Sequence, residues 1–246
     1  MEKKPETKVK IKICGLRTPA DVAAVNAALP EYAGFIFVPM RRRYVAPAQA
    51  AILCQQLDPR IRPVGVFVDA RIEDILETLT HCPIDMVQLH GAEDNDYIAM
   101  LRAVYRSRFA VESCEATVDD SSGNVEKRVC ISDEIHGIRK KSRDLCIVQV
   151  FRVEDVDDIR RAEASAADEI LLDHGAGGTG ERFDWTLLQH CHRRFFLAGG
   201  LTPDNVEDAI RVAQPYAVDV SSSLETDGRK DPEKIRRFVA AVRRSL

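Results

Sequence analysis

The chain is 246 residues long, a length that suits one large α/β barrel or two small domains. Hydrophobic residues make up 45% and charged residues 30%, a soluble globular composition, and the net charge of −4 argues against nucleic-acid binding. The apolar runs are too short to span a bilayer.

The first ten residues are charged and lack an apolar signal core, so no secretion is expected. Seven scattered cysteines with no C-x-x-C pair suit free thiols in a reducing cytoplasm and no zinc site.

Residues 9–14 alternate and are rich in β-branched side chains, as a strand, and Gly15 ends it. Thr18, Pro19 and Asp21 then open a helix, as cap, first-turn proline and acid on the positive end of the dipole. Residues 33–38 form the second strand. The basic loop Met40-Arg41-Arg42-Arg43-Tyr44 follows, then a helix from Pro47 to about residue 57. Residues 64–68 form the third strand, ending at Asp69, and Ile72, Ile75, Leu76 and Leu79 lie at helical spacing. Residues 85–89 lead to His90-Gly91, and a helix covers 93–105.

The fifth strand spans 146–150 and its helix about 154–165. The sixth strand, 169–172, runs into Asp173 and a loop with Gly175, Gly177, Gly178 and Gly180, before a short helix from Asp184. The seventh strand, 195–198, ends at Gly199-Gly200, and Thr202-Pro203 repeats the cap-plus-proline start. The eighth, 216–220, ends at Ser221-Ser222-Ser223, and Asp231-Pro232 begins the last helix. Strict alternation predicts a parallel sheet. Eight units in this length predict a closed (β/α)8 TIM barrel, a single domain over residues 1–246. A doubly wound open sheet is the alternative, weakened because no G-x-G-x-x-G follows the first strand.

One polar, charged insertion, about 107–144, breaks the rhythm between the fourth helix and the fifth strand. Its flanks, 109–118 and 125–131, suggest a hairpin; the rival is a disordered excursion. By connectivity it belongs to the N-terminal face of the barrel, away from the chemistry.

In such a barrel the strand ends and the loops after them line the active site. Those positions hold Cys14, Arg41, Arg42, Arg43, Asp69, His90, Asp173 with its glycines, Gly199, Gly200, Ser221 and Ser222. That set offers an acid, a thiol, a cation cluster and small-residue loops after strands six to eight, where backbone N–H groups favour a phosphate.

Ten motifs, taken in order, closely resemble the phosphoribosylanthranilate isomerase family. They include Lys12-Ile13-Cys14-Gly15, Arg43-Tyr44-Val45, Val87-Gln88-Leu89-His90-Gly91, Leu172-Asp173, Gly177-Gly178-Thr179-Gly180, Phe183-Asp184-Trp185, Gly199-Gly200-Leu201 and Asp219-Val220-Ser221-Ser222. The resemblance runs from about Val9 to Phe238 apart from the insertion.

It implies an Amadori rearrangement in tryptophan biosynthesis, without cofactor or metal, of an aminoaldose phosphate to an aminoketose phosphate. It makes Asp173 the general acid that opens the sugar ring and Cys14 the base that takes the proton from carbon two. Arg43 is implied to hold the anthranilate carboxylate, and Gly178, Gly180, Gly200, Ser221 and Ser222 the phosphate. His90, which faces the same mouth by alternation, and Asp219 complete the expected substrate-binding set, and Arg41 and Arg42 are expected in solvent. The implied partner is a small phosphorylated substrate, with no nucleic acid or membrane, bound by a monomer or homodimer. Rival readings are another phosphosugar isomerase or epimerase barrel, or a silent barrel that binds a phosphorylated ligand.

Two demands follow from chemistry alone. An exposed Asp titrates near ~4 and a thiol near ~8.5. Asp173 therefore needs apolar walls or a nearby anion, and Cys14 a nearby cation. Alternation places Lys12 on the same face as Cys14, inside the barrel, where a buried ammonium needs a partner. Asp219, or Glu169, is the expected carboxylate. The family often carries glycine where Ser223 stands, and the insertion is not typical of it.

Overall fold

The computed structural model describes residues 8–84, 86–109, 144–174 and 185–245. Eight strands follow in order: β1 (Lys10–Cys14), β2 (Tyr32–Ile36), β3 (Arg62–Phe67), β4 (Met86–Leu89), β5 (Cys146–Arg152), β6 (Glu169–Asp173), β7 (Phe195–Ala198) and β8 (Ala217–Val220). Each pairs in parallel with the next, and β8 returns to β1, closing a barrel. The open sheet is thereby excluded. Because all strands run the same way, their C-terminal ends share one rim.

Helices α1 (Pro19–Ala28), α2 (Pro47–Gln55), α3 (Ile72–His81), α4 (Asn95–Phe109), α5 (Val156–Glu163), α6 (Val206–Ala213) and α7 (Pro232–Arg244) surround the barrel. Among the described residues, the sixth unit carries a 3-10 helix, Trp185–His190. A short antiparallel hairpin, β9 (Glu225–Thr226) and β10 (Arg229–Lys230), lies between β8 and α7. No helix among the described residues is long and apolar enough to cross a membrane.

Strand alternation produces two cores. In β1, Ile11 and Ile13 are fully buried in the larger core. Lys12 and Cys14 alternate with them and face inward. The barrel interior is filled by a smaller cluster that includes Val64, Met86, Val148, Leu171 and Phe196. At the opposite end from the rim, Phe196 packs on Tyr32 at 5.4 Å and Tyr216 at 5.7 Å. The Lys10 ammonium and the Arg194 guanidinium both cover Tyr216, at 4.7 and 4.5 Å from its ring centre.

Local signals start several helices as expected. Thr18 and Asp21 form a reciprocal capping box on α1, and Asp231 caps α7 ahead of Pro232. Thr202-Pro203 does not begin α6. Its first residue is Val206, because the Thr202 N–H donates to Asn205 Oδ1 (2.8 Å) and Asn205 Nδ2 to the Gly200 carbonyl (3.0 Å). These bonds hold residues 202–205 as a turn. Helix α4 also outruns its expected end at residue 105, since Tyr105 is fully buried and packs, with its ring tilted, on Phe109 one turn later at 4.8 Å. The first residues of the expected insertion, 107–109, are thus helical. The hairpin and excursion expected within it lie outside the described residues.

Candidate active site

Cys14 closes β1 and is 6% exposed. Its neighbour across the sheet is Gly34. A Cβ there would lie 2.7 Å from Cys14 Sγ, so glycine makes the room the thiol occupies. Below the thiol, Lys12 Nζ donates to both Asp219 oxygens, at 2.9 and 3.0 Å. Lys12 is 2% exposed, and strand register sets it directly opposite Asp219. Asp219 is thus the expected carboxylate; Glu169 instead takes the Arg194 Nε at 2.9 Å. Burial lowers the Lys12 pKa, but Asp219 and then Cys14 outweigh it, and the net direction is up.

Cys14 departs from the expected direction: its pKa is raised, not lowered. Burial pushes the thiol up, Lys12 pulls it back, Asp219 pushes it up again, and Lys230 pulls it down; burial prevails. Lys230 is buried in its own right. Its Nζ donates to the Ser221 carbonyl at 2.8 Å and faces Glu225 Oε1 at 3.4 Å.

Asp173 closes β6 on the same rim. Its pKa is raised, first by burial, with His90 lowering it and Asp219 raising it. Apolar walls and a nearby anion are the two causes expected from chemistry. His90 Nε2 lies 3.8 Å from Asp173 Oδ2. Both line a cavity of about 270 Å³ with Gly91, Val150 and Arg152. His174, next in the chain, turns its Nδ1 to the Val153 carbonyl at 3.2 Å. Asp219 acts electrostatically on both Cys14 and Asp173, so one carboxylate lies within reach of both groups.

Where the sequence led to the expectation of a phosphate, Gly200 follows β7 with φ +60°. Ser221 precedes a 3-10 turn, Ser222–Leu224. The Ser221 hydroxyl donates to the Cys14 carbonyl at 3.0 Å, which joins the β8 end to the β1 end. The Ser223 hydroxyl donates to the Leu201 carbonyl, tying the loop after β8 to the loop after β7. Gly178 and Gly180 lie outside the described residues. Among the described residues, no three His, Cys, Asp or Glu side chains gather as a metal ion would require.

Arg43 reaches the rim from the loop after β2. Its methylene stem crosses Gly15, where a Cβ would meet Arg43 Cδ at 2.6 Å; Gly15 also has φ +86°. Its Nε donates to Glu225 Oε1 at 2.6 Å, and Arg42 Nη2 donates to Glu225 Oε2 at 2.5 Å. Arg42 is therefore exposed but ion-paired, unlike the solvated side chain expected. Sequence reasoning passed over Glu225 and Lys230 altogether. Neither ends a barrel strand, and only the folded hairpin brings them under the Arg43 loop.

The family model for N-(5'-phosphoribosyl)anthranilate (PRA) isomerase matches residues 11–137 and 132–241. A relative of that name from Acetivibrio thermocellus is 37% identical over 237 residues, covering 95% of each chain. The chain belongs to this family. Phosphoribosylanthranilate isomerases also share its fold in crystal structures. The Thermotoga maritima enzyme superposes with a TM-score of 0.71 at 28% identity, over 95% of this chain and 98% of that one. A second isomerase of the family was solved with reduced 1-(o-carboxyphenylamino)-1-deoxyribulose 5-phosphate. It superposes with a TM-score of 0.69 at 27% identity, over 95% of this chain and 98% of its own.

Proposed function

We infer that this chain isomerises N-(5'-phosphoribosyl)anthranilate in tryptophan biosynthesis, with Asp173 as general acid and Cys14 as general base. The observation that carries the assignment is their placement. A half-buried carboxylate with a raised pKa and a buried thiol end two strands of one closed barrel. Both face the rim, under the influence of the same Asp219.

Asp173 gives its proton to the ring oxygen of the ribose while the anilino nitrogen pushes its lone pair toward C1. The C1–O bond breaks and a protonated Schiff base forms. Cys14 as thiolate then takes the proton from C2. The C–H electron pair becomes a C1=C2 bond, and the iminium electrons return to nitrogen. The resulting enol gains a proton at C1 and loses its hydroxyl proton, giving the 2-ketose. No atom is added, and only protons move.

Arg43 holds the anthranilate carboxylate. Gly178, Gly180, Gly200, Ser221 and Ser222 hold phosphate, with backbone N–H groups as the main donors, since the Ser221 hydroxyl proton is directed at Cys14. His90, whose Nε2 lies 3.8 Å from Asp173 Oδ2, contacts the substrate beside the acid. Asp219, with both oxygens engaged by Lys12, serves the site electrostatically, holding Asp173 up and Lys12 in place. A disulfide at Cys14 would remove the base, so a reducing cytoplasm suits the chemistry. The named groups all come from one chain, which fits a monomer or a homodimer.

The test is turnover of freshly formed phosphoribosylanthranilate, followed by loss of anthranilate-type fluorescence. Removal of a general acid or base typically costs about 10²–10⁴-fold, and Cys14→Ala and Asp173→Ala are each expected to show a loss of that order. Turnover unaffected by both substitutions would refute the assignment.

A further inference from the structure

The β9–β10 hairpin contributes no residue to the proton transfers, yet it binds three loops of the rim. Arg17 Nη2 donates to the Gly228 carbonyl at 2.7 Å, and its Nη1 to the Arg42 carbonyl at 3.0 Å. These bonds brace the hairpin against the loops after β1 and β2. Lys230 Nζ reaches the Ser221 carbonyl in the loop after β8. Glu225 is the centre of this arrangement. Its side chain is 6% exposed, and its backbone is fixed by pairing with Lys230 and by Lys234 Nζ on its carbonyl at 2.7 Å.

The two oxygens of Glu225 are divided between Arg42 Nη2 and Arg43 Nε. Arg43 is therefore held at two points, its stem over Gly15 and its Nε on Glu225. A guanidinium offers two bidentate faces, one including Nε and one made by the two Nη groups. With the Nε face engaged, the Nη end remains, and it makes no hydrogen bond to a described residue. An arginine side chain otherwise retains much rotamer freedom, and ordering it only on binding weakens affinity.

We propose that Glu225 is a positioning residue for substrate recognition: it fixes Arg43 side-on so that the Nη1–Nη2 end meets the substrate's aromatic carboxylate. This rests on Arg43 holding that carboxylate. Glu225 itself touches no substrate and acts through Arg43.

A double-mutant cycle with Glu225→Gln and Arg43→Ala tests the proposal. Glu225→Gln preserves shape but not charge, and it should raise KM for phosphoribosylanthranilate about tenfold with kcat changed less than about threefold. Arg43→Ala should raise KM at least as much, and Glu225→Gln added to it should have no further effect, the non-additivity expected of groups acting through one contact. Inhibition by inorganic phosphate should be unchanged in Glu225→Gln. An equal KM penalty from Glu225→Gln in both backgrounds would overturn the proposal. So would weakened phosphate inhibition, which would place its action on the Ser221 loop through Lys230. Arg43→Ala with unchanged KM would instead overturn the underlying assignment of Arg43. Should Glu225→Gln not fold, Glu225→Asp keeps the charge and withdraws it by one methylene. The same coupled rise in KM is expected, and a parental KM would sink the idea.

Discussion

At the residue scale, burial acts on Cys14 and Asp173 in the same direction with opposite consequences. It raises the Asp173 carboxyl, which favours the protonated form a general acid needs. It raises the Cys14 thiol, which disfavours the thiolate a base needs. Each unit of displacement is worth about 1.4 kcal/mol between protonation states, so the neighbouring Lys12 and Lys230 matter in proportion. They pull the thiol back down, though not below its ordinary value. The ultraviolet thiolate absorbance of the ligand-free parent, minus that of Cys14→Ser, should therefore rise only above about pH 8.5, the ordinary thiol value. A difference titration centred below it would show that the two ammonium groups outweigh burial.

At the element scale, short polar signals decide where helices begin, and tertiary contacts decide how far they run. Asp231 Oδ1 accepts from the N–H groups of Glu233 at 2.9 Å and Lys234 at 3.2 Å, and its Oδ2 accepts from the Thr226 hydroxyl at 2.7 Å. One carboxylate caps α7 and anchors the hairpin. Asp231→Ala should lose about 1 kcal/mol, a fall in Tm of about 2–4 °C for a chain of this size, read by calorimetry. An unchanged Tm would mean water replaces the cap at no cost. The Thr202-Pro203 pair shows the opposite case. The same two residue types that open α1 at Thr18 form a turn here, because Asn205 bonds back to Thr202 and Gly200. The residue three places on separates the two cases: the Asp21 carboxylate only accepts, from Arg17 and Thr18, whereas the Asn205 amide also donates to the Gly200 carbonyl.

At the scale of the whole molecule, the C-terminal segment completes the rim that the first strands begin. β8 closes on β1, and Glu225 then ties the hairpin to the loop after β2. Burial pushes the Glu225 carboxyl up, but Arg43, Lys230 and Arg42 together hold it at about 2, against an ordinary 4.5. A folded-state value below the unfolded one gives stability that is present above about pH 4.5 and lost as pH falls toward 2. The urea midpoint of the parent should fall more steeply over that interval than that of Glu225→Gln. Parallel curves would show that this carboxylate does not link the ends of the chain.

The linear pattern of residues determined the alternating elements, the barrel they form, the family, and the candidates Cys14, Asp173 and Arg43. It also narrowed the partner of Lys12 to Asp219 or Glu169, since alternation and barrel closure both follow from the order of strands, and the folded barrel decided for Asp219. Only the tertiary structure decided that Gly34 opens space for the thiol, that the Ser221 hydroxyl turns to the Cys14 carbonyl, and that Glu225 holds Arg43. The physical reason is range. Hydrophobic periodicity, caps and turns act between neighbours in the chain, whereas a carboxylate more than 180 residues away from its arginines gains its role only when the closed sheet brings both to one rim.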